Sequence, residues 1–90
     1  MSQAIVDPGD LRHFVQHLKH FNSEMITQMQ GIQRQLNGLS NSWRDQEHRK
    51  FVEEFEQQMR TMARFVESTN EYIPYLLRKV ERIEEYLQQR

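Results

Sequence analysis

The 90-residue chain contains no cysteine, which removes disulfide frameworks, thiolate catalysis and cysteine-ligated zinc. Glycine occurs three times and proline twice, so no Gly-rich loop is present to cradle a phosphate or an oxyanion, and the composition favours helix throughout. Charge of one sign is lacking as well: 12 Lys and Arg stand against 13 Asp and Glu, a net charge of -1. The two signs are interspersed, which argues against nucleic acid as the main partner. The longest apolar runs are only a few residues, and the start, MSQAIVDPGD, has neither a basic opening nor an apolar core. No membrane span and no Sec signal are therefore expected, and synthesis in the cytoplasm is. A chain this short buries only about 60% of its unfolded surface, which makes association with another chain the inexpensive route to stability.

What the chain does have is helical periodicity. Asp7 can cap a first helix, Pro8 suits its first position, Asp10 occupies the capping-box site and Val6 can staple onto Leu11. From there Leu11, Phe14, Leu18, Phe21, Met25, Met29, Ile32, Leu36 and Leu39 recur at steps of three or four, the spacing of one helix face. Asn37 and Gly38 suit a left-handed C-terminal cap, placing the first helix at 8–37 and a turn at 38–42. Ser42, with Asp45 three positions on, repeats the capping pattern for a second helix over 43–88. Val52, Met59, Val66, Ile73, Val80 and Leu87 are seven apart, with Phe55, Met62, Thr69, Leu76 and Ile83 forming the companion heptad row. Two long amphipathic helices on a short connection make an all-α antiparallel hairpin, the second helix kinked or broken near Pro74.

The only tryptophan, Trp43, lies in the polar neck LSNSWRDQEHRKFVEEF, where a large side chain can cover the core layer that the closed end of a hairpin leaves facing solvent. Two striped helices in a chain of this length, S-W-R-D at the neck, and Phe51 and Phe55 eight and twelve residues after the tryptophan together resemble the WXG family. These are the ESAT-like small helical hairpins exported by type VII secretion systems. The resemblance implies a non-enzymatic protein that acts as a secreted homodimer, or as the carrier half of a pair with a paralogous WXG-like chain, with a secretion ATPase as a further partner. Two features depart from the family. The motif glycine is Asp45 here, which gives up close backbone approach and gains a favourable contact with a helix amino end. The family's Tyr-x-x-x-Asp/Glu export signal is also not matched, since four residues beyond Tyr72, Tyr75 and Tyr86 stand Leu76, Lys79 and Arg90. A cytoplasmic helical-bundle adaptor or scaffold without a secretion role is the alternative this leaves open.

Nothing in the chain points to chemistry. His13, His17 and His20 fall within two turns of the first helix, but exposed helix surface accounts for them, as it does for His48 near the neck. Glu53, Glu54, Glu56, Glu84 and Glu85 sit beside Arg and Lys on polar faces, where they make solvated pairs instead of a buried acid and base. No catalytic residue, cofactor, metal or small-molecule substrate is expected. Phe51, Phe65, Tyr72 and Tyr86, however, share a flank position that adds an apolar edge beyond the hairpin seam, and Val15, Met29 and Leu36 lie beside the main stripe of the first helix. Both helices are therefore wider in apolar surface than a two-helix contact needs, the pattern of a four-helix bundle formed by dimerisation. The turn motif is Trp43 and Asp45. The core and dimer interface are assigned to Leu11, Phe14, Leu18, Phe21, Met25, Phe51, Phe55, Met59, Met62, Phe65, Val66 and Tyr72. Helix one, counted from the neck, is expected to run out opposite residue 73, leaving Leu76, Leu77, Val80, Ile83, Tyr86 and Leu87 as a C-terminal segment for a partner to cover.

Overall fold

The computed structural model describes residues 6–89. Helix α1 spans Pro8–Leu39 and helix α2 spans Gln46–Gln88. Asp7 caps α1, its carboxylate accepting from the Asp10 N–H at 3.0 Å, with Pro8 at the first helical position. The helices run antiparallel: Arg12 Nη2 donates to Glu84 Oε1 at 2.9 Å near the open end, and Asn22 meets Thr69 and Asn70 midway. The hairpin is a rod of 68 × 24 × 16 Å. Its radius of gyration is 20.2 Å, against roughly 12 Å for a compact domain of this length.

The neck differs from its sequence reading. α1 does not stop at Asn37 but continues to Leu39, and no described residue adopts a positive φ, so the freedom of Asn37 and Gly38 goes unused. Ser40 is right-handed and closes the helix instead: its N–H bonds back to Asn37 and Gly38, and its hydroxyl donates to the Asn37 carbonyl at 2.6 Å. Arg44 completes the cap, donating from Nε to the Ser40 carbonyl and from Nη2 to that of Asn41. α2 starts at Gln46, not Trp43, and its cap is Asp45, not Ser42; the Asp45 carboxylate accepts from the His48 N–H at 2.9 Å. Ser42 is used one turn earlier, its N–H closing onto the Leu39 carbonyl.

Pro74 does not interrupt α2. It removes the N–H that would serve the Asn70 carbonyl, but Ile73 and Val80, on either side, are buried against α1 and hold the helix course. α1 is also better matched to α2 than the count from Trp43 suggested. It is 32 residues long, about 48 Å at 1.5 Å per residue, and it is laid against an α2 that starts three residues later. Its first turns therefore cover α2 well beyond residue 73. Val80 is fully buried within the hairpin, Leu76, Leu77 and Ile83 are half-buried, and only Tyr86 and Leu87 in the last turns remain exposed.

On α2 the seam follows the heptad read from the sequence, with Val66, Ile73 and Val80 buried and Val52, Phe55, Met59 and Met62 half-buried. On α1 the seam is rotated. Its deepest positions are Val15, Asn22 and Leu36, which with Met29 are seven apart, flanked by the half-buried Leu11, Leu18 and Met25. Phe14 and Phe21, expected in the core, stand outside it at 55% and 49% exposure. Two helices approaching closely favour small or β-branched side chains at the contact line and push bulky rings to the flank. Phe51, Phe65 and Tyr72 are exposed on α2 for the same reason.

Candidate interaction site

The displaced rings assemble into one face. Phe21 of α1 and Phe65 of α2 meet edge to face across the seam, centroids 6.5 Å apart at 88°, an arrangement that aromatic quadrupoles favour. One heptad toward the open end, Phe14 and Tyr72 hold the equivalent positions, and toward the neck Ile32, Leu39 and Phe51 flank a shallow apolar concavity with Leu36. All seven of these flanking side chains, Phe14, Phe21, Phe65, Tyr72, Ile32, Leu39 and Phe51, are exposed. The opposite face, where Lys19, Ser23, Arg64, Glu67, Asn70 and Glu71 gather around Ile26, is mixed and polar. The hairpin is thus strongly two-faced, with its aromatic side open.

The accessible surface is large for the chain's mass, as its rod shape requires. At 7474 Å², it exceeds by about a third the roughly 5,600 Å² that size scaling gives a compact monomer of 11.0 kDa. The surplus is more than the roughly 800 Å² per partner that a standard interface covers. Contiguous apolar patches of this kind are uncommon on monomers and mark contact surfaces.

At the neck the indole of Trp43 lies half-buried on the His48 ring, centroids 4.8 Å apart, and 6.1 Å from the ring of Phe51, which in turn is 5.7 Å from Phe55. The backbone N–H of Trp43 donates to the Leu39 carbonyl at 2.8 Å, which ties the tryptophan to the last residue of α1. A model of the WXG100 family, described as proteins of 100 residues with WXG, matches residues 3–89. The chain belongs to the WXG100 family. No match was found among curated proteins or among solved structures. Within this WXG100 chain the only tryptophan is Trp43, and Asp45 stands two residues on, where the family description has glycine. That position is the N-cap of α2, where aspartate is among the best residues and glycine is acceptable.

Sequence reasoning assigned Leu11, Phe14, Leu18, Phe21, Met25, Phe51, Phe55, Met59, Met62, Phe65, Val66 and Tyr72 jointly to the core and the dimer interface, with Phe51, Phe65 and Tyr72 on the flank beyond the hairpin seam. The structure separates them into a seam (Leu11, Leu18, Met25, Phe55, Met59, Met62, Val66) and an open face (Phe14, Phe21, Phe51, Phe65, Tyr72). It also adds Val15, fully buried, and Asn22, 2% exposed, which the core assignment omitted. His13, His17 and His20 are exposed on α1, and no three potential metal-ligating side chains come together among the described residues. No described helix is long and apolar enough to cross a membrane.

Proposed function

We propose that the protein works by pairing, as a non-enzymatic half of a four-helix bundle handled by type VII secretion. Its aromatic face packs against the matching face of a second WXG100 chain, a copy of itself or a paralogue. The observation that carries this reading is the row Phe14, Phe21, Phe65 and Tyr72, continuous across both helices and open along its length. Family membership supports the secretion context, because WXG100 chains are small ESAT-like proteins related to type VII systems. The bundle then travels as a secreted dimer, or this chain serves as the carrier half of a secreted pair. The exposed last turns of α2, with Tyr86 and Leu87, are where we place a further contact with the partner chain or the secretion ATPase.

Tagged chain expressed in its host should reach the medium only when the secretion ATPase is present, and the double substitution F21E/F65E should block that export while leaving the hairpin helical. Export independent of the ATPase would overturn the secretion reading. Retention of the wild-type chain in cells whose type VII system is active would favour a scaffold that stays in the cell.

A further inference from the structure

The seam contains one polar layer. Asn22, 2% exposed and seven residues from Val15 and Met29, donates from Nδ2 to Thr69 Oγ1 at 2.8 Å and to Asn70 Oδ1 at 2.9 Å. The Thr69 hydroxyl is itself turned back onto the Phe65 and Val66 carbonyls, so it is fixed as the acceptor of the pair. The Asn22 Oδ1 is sealed from solvent and has no partner. A layer that leaves a buried acceptor unpaired does not serve stability, since an apolar side chain there would be better tolerated. A single buried asparagine in a helix seam can instead specify register at a cost in stability.

The geometry points to Asn22 as the register determinant of this hairpin, and through the register, as the residue that keeps the aromatic row of α1 beside that of α2. Heptad patterns repeat, so with the neck turn re-formed α2 could sit one heptad along and still present apolar positions to α1. Such a slip brings Asn22 opposite Met62 and Ala63 in one direction, or Leu76 and Leu77 in the other. Of the four side chains only the Met62 thioether can accept, and weakly, so neither slipped hairpin replaces the two oxygen acceptors that Thr69 and Asn70 supply to the Asn22 amide. Each slip would keep one aromatic pair, Phe14 with Phe65 or Phe21 with Tyr72, and lose the other, facing Phe21 with Gln58 in one direction and Phe14 with Lys79 in the other, which shortens the aromatic row. The consequence for partner binding rests on the pairing function proposed above, whereas the register claim concerns the single chain alone.

The chain has no cysteine, so spin labels at the exposed positions Q16C and R78C report the register directly. Labelled chain is diluted in excess unlabelled chain so that only distances within one chain contribute. The unaltered seam should give a single narrow distance. Asn22→Leu should raise the melting temperature by a few degrees and add a second population, since one heptad of helix is about 10.5 Å long. The pair T69V/N70L should lower the melting temperature and also broaden the distribution, because Asn22 then lacks a partner in every register. An Asn22→Leu hairpin that keeps the single distance, or one that loses its helical signal, overturns the assignment whether or not the chain dimerises. If the register shifts while light scattering shows no dimer, only the pairing function is refuted.

Discussion

Deleting residues 75–90 tests how far the hairpin depends on the end of α2. The deletion removes Val80, which is fully buried, and the half-buried Leu76, Leu77 and Ile83, all packed toward the first turns of α1. Full burial of an aliphatic side chain contributes about 1.5–3 kcal/mol and half-burial about half of that, so the four together supply roughly 4–7 kcal/mol, an upper figure because the unfolded chain already hides some apolar area. The Arg12–Glu84 pair, with both side chains about 40% exposed, adds at most about 1 kcal/mol. Against a total of about 5–15 kcal/mol for a small domain, the loss brings the shortened hairpin close to the edge of stability. Its far-UV circular dichroism should show helix lost beyond the deleted residues, and hydrogen exchange should locate that loss in residues 8–18. A shortened chain with unchanged midpoint and protected amides in that segment would refute the packing argument and restore the view that α1 ends opposite residue 73.

Trp43→Ala should cost about 2 kcal/mol in a denaturant melt, roughly half the value for a fully buried tryptophan, because the indole is half-buried on His48 and Phe51. A change under about 0.5 kcal/mol would mean that the ring does not roof the core. Asp45→Ala should cost about 1 kcal/mol and Asp45→Gly only a few tenths, since glycine also serves at an N-cap; equal losses for both would place the aspartate's role outside capping. Val15→Ala should destabilise the chain by about 2 kcal/mol, whereas Phe14→Ala should leave the isolated hairpin nearly unaffected, and the reverse order would move the seam back to the aromatic row.

The architecture was legible where one pattern dominated. On α2 the row Val52, Met59, Val66, Ile73 and Val80 is both the most apolar and the seam, so periodicity alone located it. On α1 two rows lie side by side about 100° apart, and the hydropathy of Phe14 and Phe21 outweighs that of Val15 and Asn22. Hydropathy ranks side chains by transfer, while a close helix contact selects them by shape, and that conflict moved the seam by one position. A polar residue in each helix, Asn22 on a seven-residue row and Thr69 on the other, was the available signal, because two buried polar groups are tolerated where they face one another. At the neck, Ser42 with Asp45 three positions on matched a capping pattern, but the residue that caps α2 is Asp45 itself. Arg44 donates to the Ser40 and Asn41 carbonyls, just past the end of α1, and ties residues 40–44 into a turn that leaves Asp45 at the cap. The continuity of α2 through Pro74 was set by packing on either side of it, which no local rule contains.

Light scattering on the purified chain during size-exclusion chromatography, beside F21E/F65E, bears most directly on the claim that the aromatic face is a pairing surface. With no other partner present, the chain should elute as a single species of about 22 kDa, twice the 11.0 kDa of one copy. The double variant should elute as a helical monomer. A wild-type chain that is fully helical and monomeric at micromolar concentration, or a double variant that dimerises equally well, would contradict it.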